Sequence, residues 1–186
     1  MGMAISAGWT VEQLATLPDD GKRYEIIDGE LYVTPSPVYW HQYAVVEMVT
    51  ALRTYLKPLG AGVALAAPAD VEFDRRTVVE PDVLVLPLTA GRRPHDFAEA
   101  GRLLLAVEVL SPGTAARDRG IKRELYQRQG VPEYWIVDLD ARLIERWRPD
   151  DQRPEIVRDR LEWLPEGAGE PFVLDVPAFF AETGLE

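Results

Sequence analysis

Glu108 is the only charged residue in the run Leu103–Leu110. A carboxylate inside an apolar strand is costly unless something compensates it. The compensation can be a buried Arg or Lys, a raised pKa, or a metal ion. Asp82 follows Pro81 and opens a second apolar run, Val83 to Leu86. If the two runs form paired strands, both carboxylates can converge on one ion. A hard divalent cation of the Mg²⁺ type needs only one or two carboxylates, with water and phosphate oxygens completing its shell. Asp118, Lys122 and Tyr126 recur at a spacing of four, which puts them on one helix face. A helix folded back over the Glu108 strand would bring the Lys122 ammonium toward the carboxylates. A cation there can stabilise a phosphoryl-transfer transition state or poise the attacking water.

Composition removes several other chemistries. The chain has no cysteine, which rules out disulfides, Cys-ligated zinc, iron–sulfur clusters and thiol nucleophiles, and suits a reducing cytosol. Ser111 has neither a nucleophile elbow nor a suitably placed His, and there is no Walker A lysine loop or Rossmann glycine fingerprint. The formal net charge of −11 runs against the basic footprint usual in nucleic-acid binders. A metal site gathers carboxylates, however, and a local basic face can coexist with an acidic whole. Arg117, Arg119, Lys122, Arg123 and Arg128 do cluster, although a solvated helix face would look the same. No run approaches the roughly 18 apolar residues of a membrane span. The start, Met1 to Ser6, lacks the features of a signal peptide, and its fit to the loose myristoylation pattern reads as chance because no polybasic patch follows. A cytoplasmic protein without membrane contact is therefore expected.

The elements that must position these residues are legible in outline. Thr10-Val11-Glu12-Gln13 has the form of a capping box opening a short helix. Asp28-Gly29 between two apolar runs signals a hairpin. His41, Val45, Val49, Leu52 and Leu56 form one stripe of a helix from Val38 to Lys57, stopped by Pro58 and Gly60. Strands are expected at 63–66, 70–73 and 83–86, with a turn at Asp74-Arg75-Arg76 and a loop over 87–101. The central strand 103–110 is followed by a helix from Thr114 to Arg128, then strands at 134–137 and 143–147. Trp135 and Trp147 read as core. The whole reads as one α/β (α+β) domain over 1–186, a mixed sheet with helices packed on it. Its core spans about 10–148, and a Pro- and Gly-rich extension from about 149 would be a dimer arm, an edge strand or a cover for the core.

Several ordered pieces resemble the Uma2 family of the PD-(D/E)xK nuclease superfamily. They are Tyr24 to Glu30, Pro35-Ser36-Pro37 with His41, Glu80-Pro81-Asp82-Val83, Val107 to Pro112, Asp118 with Lys122 and Tyr126, and Gly130 to Asp138. The resemblance implies a restriction-endonuclease-like core and hydrolysis of nucleic-acid phosphodiesters with Mg²⁺ (or Mn²⁺); the sequence does not separate DNA from RNA, and DNA is the expected substrate. The resemblance also implies that Asp82 and Glu108 hold the metal, with the main-chain carbonyl of Val109 as a further ligand. Glu25, His41, Asp118 and Tyr126 would support them. The superfamily's usual lysine falls two residues after the acid of the second motif, and here that position is Leu110. Lys122 is the natural substitute. Nucleases that cut both strands often work as dimers, so a homodimer is expected. The second reading is a nuclease-fold module that binds nucleic acid or a partner protein with little or no turnover.

Overall fold

The computed structural model describes residues 8–183; the N-terminal motif at 1–6 lies outside them. Helix α1 is Val11–Leu14, and its capping box pairs Thr10 with Gln13. Strands β1 (Arg23–Ile27) and β2 (Glu30–Thr34) form a hairpin in which Ile27 faces Glu30. Asp28 (φ 52°) and Gly29 (φ 86°) make its two-residue turn. Positive φ at both positions matches the twist of the flanking strands.

Helix α2 is Tyr39–Leu59, with Pro58 accommodated in the last turn and Gly60 (φ 60°) closing it. Strands β3 (Val63–Ala66), β4 (Val71–Asp74), β5 (Thr77–Val79) and β6 (Val83–Leu86) follow. The expected turn at 74–76 is the bend of a β4–β5 hairpin, whose second strand is too short to carry a sequence signal. The 87–101 segment is not wholly loop. Asp96 caps helix α3 (Phe97–Ala100) by accepting from the Glu99 N–H.

Strand β7 (Leu105–Val109) pairs with β6 antiparallel and with β8 (Tyr134–Asp138) parallel. The crossover between β7 and β8 carries α4 (Ala115–Arg117), a π-helical turn (Asp118–Lys122) and α5 (Arg123–Arg128). Strand β9 is Leu143–Trp147.

One mixed sheet with flanking helices was expected, and the structure has it. The six-stranded sheet runs β10-β9-β8-β7-β6-β3, where β10 is Glu155–Val157. A separate four-stranded sheet, β2-β1-β5-β4, carries the hairpins. The segment after residue 148 is part of the same packed body. Its β10 extends the main sheet at the edge. The hairpin β11 (Arg160–Trp163) and β12 (Phe172–Asp175) and helix α6 (Val176–Glu182) cover one face. Trp163 and Phe172 stack around Trp135 at 5.6 and 6.1 Å between ring centroids. No helix among the described residues is long and apolar enough to cross a membrane.

The central strands are buried on both faces, as parallel neighbours require. On β7, Leu105, Val107 and Val109 face α2 and the C-terminal hairpin, while Ala106 faces α5 with Leu84, Tyr126 and Ile136. Strand alternation sends Glu108 to the α5 side with Ala106, and Asp82 to the same side with Leu84.

Candidate active site

Four carboxylates and three cations meet where β1, β6 and β7 approach the α4–α5 crossover. Asp82, Glu108, Asp118 and Lys122 are each at most 2% exposed, and Glu25 is 0%. Asp82 is held on three sides. Its Oδ1 accepts from Arg23 Nη1 at 2.8 Å, and its Oδ2 accepts from the Val109 N–H at 2.8 Å and lies 3.1 Å from His41 Nε2. Burial opposes ionisation of Asp82, but His41, Arg23 and the Val109 N–H outweigh it and hold the carboxyl well below its usual range.

Lys122 bridges two acids: its Nζ is 2.7 Å from both Glu25 Oε1 and Glu108 Oε1. Glu108 Oε1 also accepts from Tyr126 Oη at 3.2 Å. Burial works against the Lys122 charge, but Glu108, Glu25 and Asp118 overcome it and push its pKa up. For Glu108, burial pushes the carboxyl well above the normal range; Lys122 pulls it down, and Asp82, Asp118 and Glu25 push it up further. Asp118 is likewise raised by burial, against Lys122, Thr114 and Arg117.

The π-helical turn explains how three residues at spacing four all reach the site. In an unbroken α-helix, residues eight apart drift by about 80° around the axis. A turn with i→i+5 bonding is wider and takes up drift, so Asp118, Lys122 and Tyr126 all point inward. Glu25 reaches the cluster from β1, where its Oε1 also accepts from the Glu80 N–H at 2.9 Å.

Sequence reading missed Arg23 and gave Arg117 no place of its own. Arg23 stands two residues before Glu25, and period-two alternation puts both on one face of β1; that signal was available. Arg117 donates to Thr34 Oγ1 at 2.6 Å and lies 3.5 Å from Glu25 Oε2. That contact joins residues 83 and 92 positions apart, and no spacing rule reaches so far. The ammonium beside Glu108 comes from Lys122 on the following helix, and position 110, where the resemblance placed a lysine, is Leu.

The basic cluster is not a free face. Arg119 pairs with Asp138 and Glu145, Arg128 with Asp28, and Arg123 with Glu124 while lying 4.9 Å from the Trp147 ring centre. These cations tie the crossover helix to the sheets. Asp82, Glu108 and Asp118 look onto a cleft of about 670 Å³, bordered also by Pro35 to Val38, His41, Pro68, Ser111 to Thr114 and Arg117. Tyr39, Trp40 and Tyr43 form an aromatic ridge on the first turn of α2 beside it, with Tyr39 and Trp40 exposed.

The donor set fits a hard divalent ion. Among the described residues, no group of three or more His, Cys, Asp or Glu is arranged to cage a metal. A Mg²⁺-type ion does not ask for that, since two carboxylates plus water and phosphate suffice. The four buried carboxylates outnumber Arg23, Arg117 and Lys122, and Glu108 is pushed toward protonation by burial, with Asp82, Asp118 and Glu25 adding to it against Lys122. Added positive charge relieves that imbalance.

A family model named Uma2, described as "Putative restriction endonuclease", matches residues 11–176. The chain belongs to the Uma2 family. The Uma2 match runs through β11 and β12 and so takes in the C-terminal hairpin. A crystal structure of a "putative nuclease belonging to DUF820" from Anabaena variabilis superposes with a TM-score of 0.75 at 22% identity, covering 94% of this chain and 98% of that one. At that identity the likeness is one of fold. No curated protein gives a significant match.

Proposed function

We propose that this Uma2 protein is a divalent-metal-dependent endonuclease that hydrolyses phosphodiester bonds in nucleic acid, DNA in preference to RNA. The observation that carries the reading is the pair Asp82 and Glu108, both buried on neighbouring strands, both opening onto one cleft, with the Lys122 ammonium 2.7 Å from Glu108. Asp82, Glu108 and the main-chain carbonyl of Val109 would hold Mg²⁺ or Mn²⁺, which when bound supplies Lewis-acid charge and an acidified water. Arg23, His41 and the Val109 N–H keep Asp82 ionised and fixed in orientation. Lys122 stays protonated and offers its charge to the oxyanion that builds during phosphoryl transfer. Tyr126 and Glu25 hold Glu108 and Lys122 in place. Asp118 lines the cleft with Oδ1 lacking a partner among the described residues, and orients water there. Such an enzyme works in the cytoplasm as a homodimer, one site per strand. The exposed Val38, Tyr39 and Trp40 beside the cleft supply apolar surface for that contact.

The test is cleavage of single-stranded DNA, duplex DNA and RNA by purified protein in Mg²⁺, Mn²⁺ or EDTA, with Asp82→Ala and Glu108→Ala purified in parallel. Metal-dependent cutting that both variants lose supports the assignment. Cutting retained by Asp82→Ala removes it. A second reading is a binding module of weak or no turnover. It is favoured by Leu110 at the usual lysine position and by the double tether that holds Lys122 between two acids. Calorimetric titration separates the two, because a module needs no metal at Asp82 and Glu108.

A further inference from the structure

A second cleft, of about 630 Å³, lies between the end of α2 and the 88–95 segment. Its walls carry Arg53, Lys57, Arg92, Arg93 and His95 and not one Asp or Glu. That is a marked segregation in a chain with 31 acidic residues against 20 Lys and Arg. Arg92 has Glu99 at 3.4 Å and His95 has Asp96 at 3.5 Å. Arg53, Lys57 and Arg93 are exposed and form no ion pair among the described residues.

The catalytic cleft has no comparable reserve. Arg23, Arg117 and Lys122 are committed to buried carboxylates, Lys22 at the cleft rim is paired with Asp20, and the exposed arginines of the crossover helix are committed to Asp28, Asp138 and Glu145. A polyanion drawn to that cleft needs its counter-charge elsewhere.

The two clefts share their walls. His41 and Val45 of α2, with Ala67 and Pro68 just past β3, border the first; Arg53 and Lys57 of α2, with Val63 to Leu65 of β3, border the second. Eight helical residues separate Val45 from Arg53, about 12 Å. That is about three to four nucleotides of a duplex strand at ~3.4 Å each.

We propose that the basic cleft binds backbone phosphates of the nucleic acid a few nucleotides from the bond in the catalytic cleft, so that the strand runs along the β3 edge between them. The inference rests on the nuclease reading and adds a second contact to it. Phosphates matched by Lys and Arg release counterions, and this makes affinity fall with salt at a slope of about 0.9 per contact on duplex DNA.

The test is fluorescence anisotropy in EDTA, comparing wild type with Arg53→Ala/Lys57→Ala/Arg93→Ala across a salt series. One probe is a duplex long enough to span both clefts, and the other is a short oligonucleotide that fills only the first. Three lost contacts lower the duplex slope by about 2.7 and its affinity on the order of a hundredfold near ~0.1 M salt, while short-probe binding is unchanged. All three residues are exposed, and equal thermal unfolding of the two proteins checks the fold. Wild-type binding of the duplex with the same slope in the variant overturns the inference and leaves the nuclease reading intact. A slope lost in the variant, from a protein that cuts nothing in Mg²⁺ or Mn²⁺, removes the catalytic reading and keeps the backbone contact. A wild type that binds neither probe overturns the inference, and cleavage in Mg²⁺ or Mn²⁺ decides the nuclease reading separately.

Discussion

Lys122→Met is the most informative single change, because it keeps the length of a side chain only 1% exposed and deletes its charge. It leaves the carboxylates of Glu25 and Glu108, each now 2.7 Å from the ammonium, facing one another without a cation between them. Breaking a buried ion pair by removing one partner typically costs about 3–5 kcal/mol. Coulomb's law gives a consistent scale: two like charges about 5 Å apart repel by about 3 kcal/mol at an effective dielectric of ~20. The loss carries a pH signature. Lys122 has a raised folded pKa, so its stabilisation is fully present below its unfolded value and is lost only as pH rises through the folded one. Without it, burial acts on Glu108 unopposed and raises its carboxyl further above the unfolded value of about 4.3. The folded variant then binds an extra proton between those two values. Its deficit against wild type is full above the variant's folded pKa and shrinks as pH falls toward the lower folded pKa that Glu108 has beside Lys122. Urea unfolding of wild type, Lys122→Met and Lys122→Met/Glu108→Gln at about pH 8 and about pH 5 measures this. The expected result is a loss of about 3–5 kcal/mol at the higher pH, partial recovery at the lower, and recovery of much of the loss by the second substitution. A loss under about 1 kcal/mol, or one indifferent to pH, would refute the bridge between the two acids.

Mg²⁺ should raise the melting temperature of wild type near pH 8 and raise it less near ~pH 5, because Glu108, pushed upward by burial, takes a proton that competes with the ion. A shift that persists in Glu108→Gln would place the ion elsewhere. Trp163→Ala should cost about 3–5 kcal/mol in urea unfolding, since Trp163 is 3% exposed and packs edge-on against Trp135; a cost near zero would mean that the C-terminal hairpin is not part of the cooperative core. Tyr126→Phe should cost only about 1 kcal/mol, the worth of its 3.2 Å bond to a carboxylate that keeps Lys122, and a much larger loss would show that the hydroxyl, not the lysine, anchors Glu108.

The sequence by itself determined the central frame. The apolar run around Glu108, the Asp28-Gly29 turn and the α2 stripe are local patterns, and local patterns carry their own periodicity. Asp82 and Glu108 could be singled out because a charge inside or beside an apolar strand needs compensation wherever the fold places it, and Lys122 because it recurs at a spacing of four with Asp118 and Tyr126. Only the tertiary structure decided what does the compensating. Arg23 and Glu25 reach the cluster from a different sheet, and Arg117 meets Thr34 across 83 positions; no window along the chain brings these together. The π-helical turn was hidden because a spacing of four reads as α-helix. The basic run from Arg117 to Arg128 read as a surface because the partners of Arg117, Arg119 and Arg128 lie elsewhere in the chain. The segment after 148 left an edge strand, a cover for the core and a dimer arm all open, because its strands are short and interrupted by Pro and Gly. Burial of Trp163, Phe172 and Phe180 against Trp135 and α2 makes it core, and that contact exists only once the sheet is assembled.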